Sequence, residues 1–430
     1  MNWIVKPSSK LRGTVNVPGD KSISHRALMH AALAHGTSRI TNLLQAGVTE
    51  AMLRCVRDLG VNVDEVAAGE ISVQGGQLRS PAAMLDCGNS GATIRMLMGA
   101  LAGQSAVTST LTGSAGLRRR PMKRVAEPLR LMGADIDVDT PPLTIRGQQL
   151  HGVEYALPVA SAQIKAAVLL AALQANDATT IHEPGPSRDH SERLLRSIGV
   201  TVISQGNTVV LTPPDRPVAA FEAVVPNDIS SAAFILAAAA LVPSSDVLLP
   251  AVGVNDTRTG ILDALIQMGA TIDLENQHEI NGEPIADMAI KASDLRGISI
   301  GGDWVVRMID EFPIFAVLAT QAHGETTVRN AEELRVKESD RIAMLALELR
   351  KLGAKIEERP DGFCIEGPTR LHGAVVDSHG DHRLAMSLAV AGLIADGETT
   401  ITHAEAYRES FPNFVELMRT LGAKIESDAD

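Results

Sequence analysis

One pattern, written six times, constrains this chain of 430 residues more than any other feature, because self-similarity at a fixed period decides architecture before single motifs are weighed. An amphipathic helix ending at Gly and followed by a strand reads Leu59-Gly60-Val61-Asn62-Val63, Met132-Gly133-Ala134-Asp135-Ile136, Ile198-Gly199-Val200-Thr201-Val202, Met268-Gly269-Ala270-Thr271-Ile272, Leu352-Gly353-Ala354-Lys355-Ile356 and Leu421-Gly422-Ala423-Lys424-Ile425. These glycines recur about every 70 residues. A Gly just past a helix predicts a left-handed C-cap, where only Gly turns without a Cβ penalty. The helix before Gly353 shows the period, with Ile342, Leu345, Leu349 and Leu352 on one face.

A second pattern keeps step with the first. A polar residue opens an Ala/Leu helix, and a short turn such as His35-Gly36-Thr37, His323-Gly324-Glu325 or Asp396-Gly397-Glu398 leads into a strand. These helices are apolar nearly all round, which predicts burial. Each repeat therefore holds two helices and several strands, an α/β class. Val17-Pro18-Gly19-Asp20 and Val225-Pro226-Asn227-Asp228 read as paired hinges that divide six repeats into three and three. One domain is expected over 19–226. The other joins 1–18, taken as a first strand that crosses over, to 227–430; a length beyond one core's reach agrees. Pro128 breaks a local rule by falling inside the helix predicted between Pro121 and Met132.

Composition removes whole classes of function. Lys plus Arg number 39 against 51 Asp plus Glu, a net charge of −12, and Phe 7, Trp 2 and Tyr 2 are few. A general nucleic-acid surface and base-stacking platforms are thereby disfavoured. No apolar run reaches the ~18 residues of a membrane span, the longest being Ala232 to Val242. The N-terminus carries no signal-peptide pattern. Cys55, Cys87 and Cys364 lack any CxxC and read as buried thiols of a reducing compartment. A cytoplasmic enzyme or binding protein is expected.

The polar residues opening the Ala-rich helices are Lys21-Ser22, Asn89-Ser90, Ser161-Ala162-Gln163, Asp228-Ile229-Ser230, Asp310-Glu311 and Asp381-His382-Arg383. Stacked helix N-termini attract anions through free N–H groups and dipoles. Each dipole offers only about 0.3–1 kcal/mol, so fixed cations must add to it. Lys21, Arg26, Arg120, Arg188, Lys337, Arg341 and Arg383 stand at those starts, where the dipole disfavours them unless an anion arrives. Taken singly, each cation reads as a solvated charge, Asp310 as an N-cap before Phe312-Pro313, and Glu338 as a first-turn carboxylate. His379-Gly380-Asp381-His382 is a poor metal site. GxxxxGK[ST] and GxGxxG are both absent from the sequence. Their shared register across six repeats favours a phosphate or carboxylate site.

At these residues the chain resembles the 5-enolpyruvylshikimate-3-phosphate synthase (EPSP synthase) family. Lys21-Ser22-Ile23-Ser24-His25-Arg26-Ala27, Gly88-Asn89-Ser90-Gly91-Ala92-Thr93-Ile94-Arg95, Arg120-Pro121-Met122, Ser161-Ala162-Gln163-Ile164-Lys165, Leu334-Arg335-Val336-Lys337-Glu338-Ser339-Asp340-Arg341 and Asp381-His382-Arg383-Leu384-Ala385-Met386 carry the resemblance over nearly the whole chain. It implies two domains, each of three βαβαββ units with pseudo-threefold symmetry (the enolpyruvyl transferase fold), and an active site in the cleft between them. The implied reaction moves the enolpyruvyl group of phosphoenolpyruvate to the 5-hydroxyl of shikimate 3-phosphate and releases phosphate, on the shikimate pathway to chorismate and aromatic amino acids.

By motif, the resemblance assigns shikimate 3-phosphate to Lys21, Ser22, Arg26, Ser161, Ala162, Gln163, Asp310 and Lys337, with Arg188 in Ser187-Arg188-Asp189-His190 as a class II phosphate ligand. Phosphoenolpyruvate falls to Lys21, Gly91, Arg120, Gln163, Arg341 and Arg383. Gly91 resembles the glyphosate-sensitive members. Two departures stand out: Ala92 replaces a Thr of many members, and Glu409 stands where some carry a Lys that contacts phosphoenolpyruvate, with Arg408 beside it.

The chemistry needs a base for the 5-hydroxyl, assigned to Asp310, and an acid for the methylene carbon, assigned to Glu338, with Lys21 assisting. The two carboxyls must then titrate differently, Asp310 among cations and Glu338 in a drier setting. No metal or organic cofactor is called for, since phosphoenolpyruvate carries its own leaving group. The expected partners are the two small substrates and glyphosate, with no nucleic acid or membrane, acting on a monomer. The rivals are a UDP-N-acetylglucosamine enolpyruvyl transferase, whose lysine is followed by Asn and which uses a loop Cys, and a non-catalytic anion-binding repeat protein.

Overall fold

All six repeat glycines adopt positive φ in the computed structural model, which describes residues 1–428: Gly60 at 89°, Gly133 at 104°, Gly199 at 85°, Gly269 at 98°, Gly353 at 94° and Gly422 at 105°. Each closes an outer helix, namely Gly47–Asp58, Lys123–Leu131, His190–Ser197, Gly260–Met268, Arg341–Lys351 and Phe414–Leu421. The left-handed conformation explains why Gly recurs there.

The Ala-rich segments form six inner helices: Lys21–Leu33, Gly91–Ala102, Ala162–Ala172, Ile229–Leu241, Phe312–Gln321 and His382–Gly392. Ile229–Leu241 is buried at every position except its last residue. Small side chains let such helices approach closely. A Cβ on Gly99 would lie 2.1 Å from the Ala167 carbonyl oxygen, so the Gly91–Ala102 and Ala162–Ala172 helices touch at a distance that only Gly permits.

Beside each inner helix lies a four-stranded sheet, and all six sheets share one order. In one of them, Leu85–Asp86 runs parallel to Thr108–Thr112, the inner helix Gly91–Ala102 supplying the crossover a parallel pair requires. Leu143–Arg146 then pairs antiparallel with Thr108–Thr112, and Asp135–Ile136 with Leu143–Arg146. The N-terminal segment, expected as a single strand, forms two. Trp3–Lys6 lies between Thr399–Thr402 and Lys424–Ser427, while Arg12–Thr14 pairs in parallel with Asp246–Gly253. The Pro7–Leu11 break between them separates two sheets. Glu222–Val224 likewise supplies the edge strand beside Gly36–Thr41.

The chain divides into two compact units. The first holds Met1–Pro18, Asn227–His278 and the chain from Pro284 onward, and the second holds Gly19–Pro226 with Glu279–Glu283. Residues 429–430 of the expected 227–430 range lie outside the described residues. Each unit has its own apolar core. Pro128 sits within Lys123–Leu131 and is buried. Its ring fills core space and only the bond to the Arg124 carbonyl is forgone, the pattern resuming as the Met132 N–H donates to the Pro128 carbonyl at 3.0 Å. All three cysteines are buried and free. Among the described residues no helix is long and apolar enough to cross a membrane.

Candidate active site

In the second unit, side-chain hydrogen bonds tie together the first turns of three inner helices. Asp20 caps Lys21–Leu33, its Oδ1 accepting the Ile23 N–H at 2.9 Å, and Ser90 caps Gly91–Ala102 by accepting the Thr93 N–H at 3.2 Å. Ser161 stands at the N-cap of Ala162–Ala172 and makes no capping bond with its side chain. Buried His25 spans two of these starts. Its Nδ1 bonds the Lys21 carbonyl at 2.7 Å and its Nε2 the Ser90 hydroxyl at 3.3 Å. A carbonyl only accepts, so Nδ1 carries a proton, and in the neutral ring Nε2 then accepts from the Ser90 hydroxyl. Burial favours that form and pulls the imidazole pKa down to about 4.

Arg26 is buried as well and is held on three sides. Its Nη1 donates to the Ser22 carbonyl at 3.0 Å, Nη2 to the Ala162 carbonyl at 3.2 Å, and Nε to the Ser191 hydroxyl at 2.8 Å. Burial lowers its pKa to about 10, Glu192 opposing and neighbouring Arg188 adding to the drop. The guanidinium thus stays charged at neutral pH. Arg188 Nη1 reaches the Ser22 hydroxyl at 3.4 Å. A second cluster gathers at Gly91. Arg95 Nη1 donates to Gln163 Oε1, and the Nη1 atoms of Arg95 and Arg120 each lie 3.0 Å from where a Gly91 Cβ would stand. The glycine lets two guanidinium groups close over a helix N-terminus, an anion-binding arrangement.

In the first unit, residues from three separate segments meet around buried Arg341. Its Nε donates to Asp381 Oδ2 at 2.8 Å and its Nη2 to Glu338 Oε2 at 2.7 Å, while Nη1 lies 3.6 Å from Asp310 Oδ1. Asp310 Oδ1 is also 3.5 Å from Arg383 Nε. Asp381 caps the His382–Gly392 helix by accepting the Arg383 N–H at 2.9 Å and takes the Ser339 hydroxyl at 3.2 Å. Burial disfavours charge on both partners, yet Asp381 and Glu338 hold the Arg341 pKa above its ordinary value. Burial likewise pushes Asp381 up, but Arg341 outweighs it and the carboxyl sits below its usual range. Lys337 is half-buried, and desolvation lowers its pKa against the pull of Asp310.

The predicted residues therefore fall into two groups. Lys21, Ser22, Arg26, Gly91, Arg120, Ser161, Ala162, Gln163 and Arg188 stand at helix starts or the loops before them in the second unit, and Asp310, Lys337, Glu338, Arg341 and Arg383 gather in the first. The N-cap of Phe312–Gln321 is Glu311, not Asp310, and Asp310 turns to the two arginines instead. The dry setting expected for Glu338 is corrected: its side chain is 24% exposed and ion-paired to Arg341. Of the suggested metal motif, His379 Nε2 bonds Glu348 at 2.8 Å while Asp381 serves Arg341. Arg408 lies over the Tyr407 ring, 5.8 Å from its centroid.

Sequence reasoning meets Arg95 at the end of the Gly88–Arg95 motif but gives it no role, and it passes over Asp381 as the partner of Arg341. The signal for Arg95 was present, since it is the only charged residue in the Gly91–Ala102 helix, and an apolar helix keeps a lone cation only for a partner.

Comparison with known proteins agrees with this geometry. A sequence model described as EPSP synthase (3-phosphoshikimate 1-carboxyvinyltransferase) matches residues 5–418. A 3-phosphoshikimate 1-carboxyvinyltransferase of Gloeobacter violaceus is 51% identical over 419 residues, covering 96% of this chain and 97% of the relative. One from Thermodesulfovibrio yellowstonii is 48% identical over 429 residues, covering 98% and 100%. A solved EPSP synthase from Acinetobacter baumannii matches with a TM-score of 0.90 at 44% identity over 99% of both chains. The two sets of three repeats are accordingly the enolpyruvyl transferase fold. With matches that run almost end to end in both sequence and structure, the chain belongs to the EPSP synthase family.

Proposed function

We propose that this protein transfers the enolpyruvyl group of phosphoenolpyruvate to the 5-hydroxyl of shikimate 3-phosphate, releasing phosphate, as the family does on the shikimate pathway. Lys21, Ser22, Arg26, Ser161, Ala162, Gln163, Arg188, Asp310 and Lys337 take shikimate 3-phosphate; Lys21, Gly91, Arg120, Gln163, Arg341 and Arg383 take phosphoenolpyruvate. In the addition step the 5-oxygen bonds C2 of phosphoenolpyruvate, its proton passes to Asp310, and C3 gains a proton that Glu338, ion-paired to Arg341, passes on from the Lys21 ammonium. In the elimination C3 returns its proton to Glu338, the bond from C2 to the phosphate oxygen breaks, and inorganic phosphate leaves with the proton held by Asp310. Arg120, Arg341 and Arg383 balance charge that grows on the departing group. The enzyme acts as a cytoplasmic monomer, and glyphosate competes with phosphoenolpyruvate.

The observation that carries this reading is the placement of one carboxylate, Asp310, 3.5 and 3.6 Å from two buried guanidinium groups. A carboxylate held among cations stays ionised and can receive a proton from a hydroxyl. Mixing the protein with both substrates and measuring phosphate tests it. Release that needs both substrates and is suppressed by glyphosate is expected, and no release would overturn the assignment.

A further inference from the structure

Lys165 lies on the second turn of the Ala162–Ala172 helix, is 1% exposed, and is that helix's sole charged residue. Its ammonium sits 2.6 Å from Glu192 Oε1 and 2.8 Å from Glu183 Oε2, both carboxylates being buried. From this hub two arms run to the arginines assigned to shikimate 3-phosphate. On one arm, Glu192 neighbours Ser191, whose hydroxyl accepts from Arg26 Nε at 2.8 Å, and Glu192 is the foremost charge supporting the Arg26 cation. Arg26 closes the loop by donating to the carbonyl of Ala162, on the Lys165 helix itself. On the other arm, the Ser187 hydroxyl donates to Glu183 Oε1, and the next residue, Arg188, reaches Ser22.

A stability role alone explains this poorly. Burying three charges is costly, and apolar residues of the same volume often serve a core as well or better. The hub links three helices, Lys21–Leu33, Ala162–Ala172 and His190–Ser197, through polar bonds that lead to the two arginines. A buried ionic device is best kept where it fixes the direction of a functional group.

We infer that Lys165, with Glu183 and Glu192, is a positioning hub that aims Arg26 and Arg188 at the phosphate of shikimate 3-phosphate. The inference rests on the proposed ligand set, and its test separates the two. Binding of shikimate 3-phosphate to the full chain is measured by calorimetry, and KM for each substrate by steady-state kinetics. Glu192→Gln keeps shape but removes charge; it should weaken shikimate 3-phosphate binding about tenfold while KM for phosphoenolpyruvate and kcat hold. Glu192→Asp should recover part of the loss, which a mere packing role would not give.

Because a lone neutralisation leaves charge unbalanced, the triple variant Lys165→Met/Glu183→Gln/Glu192→Gln serves where the single one fails to fold. It removes all three hub charges together and should fold, yet still bind weakly. Wild-type affinity in Glu192→Gln or in the triple variant, beside weakened binding in Arg26→Ala, overturns the hub. Wild-type affinity in Arg26→Ala overturns the ligand set instead.

Discussion

Replacing Gly91 by alanine sets one methyl group against two guanidinium groups. The new Cβ would stand 3.0 Å from Nη1 of both Arg95 and Arg120, so each must yield by a few tenths of an ångström. Both are ends of flexible side chains, and Gly91 opens a helix without positive φ. The fold should therefore tolerate the change, with alanine the better helix former by up to about 1 kcal/mol. The cost falls on the anion. A hydrogen bond to a charged group contributes roughly 1.5–3 kcal/mol, and displacing two donors from their best geometry should forfeit about 1 kcal/mol in all. That predicts a rise of about fivefold in KM for phosphoenolpyruvate. Arg95 also bonds Gln163, so the shift spreads to a second ligand. Glyphosate, competing for the same space, should show an inhibition constant raised by at least that factor. The assay is phosphate release at several phosphoenolpyruvate and glyphosate concentrations, with thermal unfolding alongside. Unchanged constants would refute the reasoning, as would a variant that loses stability rather than affinity.

Asp310→Asn and Glu338→Gln should fold normally yet lose most turnover; near-native phosphate release from either would remove its assigned role. Asp381→Asn strips a buried partner from Arg341 and should destabilise the fold by about 3–5 kcal/mol, read by urea unfolding. The Asp381 pKa is lowered in the fold, so its contribution is present above the unfolded value near 3.9 and is lost as pH falls through the folded value. His25 and His30 are buried, with pKa values lowered to about 4 and about 3 chiefly by desolvation. Their stability contribution is full above about pH 6.5 and is lost as pH falls toward the folded values. Each should remove about 2 kcal/mol between pH 7 and pH 5, and His30→Leu should flatten part of that slope; an unaltered slope would show that the buried imidazole is not its source.

The legible part of this protein was whatever a local rule forces. Each repeat glycine needs positive φ, and positive φ is a demand that one residue type meets cheaply, so six positions announced six repeats. Helix starts were legible for the same reason. Lys21, Arg341 and Arg383 all sit where a dipole makes a cation uncomfortable, and the discomfort marked the site. What stayed hidden depends on contacts between segments far apart in the chain. Whether Glu338 is dry or paired is set by Arg341 three residues on, whose direction is fixed in turn by Asp381, 40 residues further along. The N-terminal segment divides between two sheets because its partners are Thr399–Thr402 and Asp246–Gly253, and no pattern within residues 1–18 states that.

Lys165 marks the boundary between the two kinds of information. Its lone charge in AQIKAAVLLAA was visible, and burial of an ionic group signals a partner. The partners, Glu183 and Glu192, follow 18 and 27 positions later on a loop and another helix, at spacings that belong to no local period. An uncharged residue at 165 would leave the repeat pattern and the apolar count of that helix intact, and would pass every test that sequence offers. It would also strip two buried carboxylates of the ammonium they share, at a cost of several kcal/mol. The constraint on Lys165 therefore lies in the pair of carboxylates, and a substitution there should be tolerated only together with theirs.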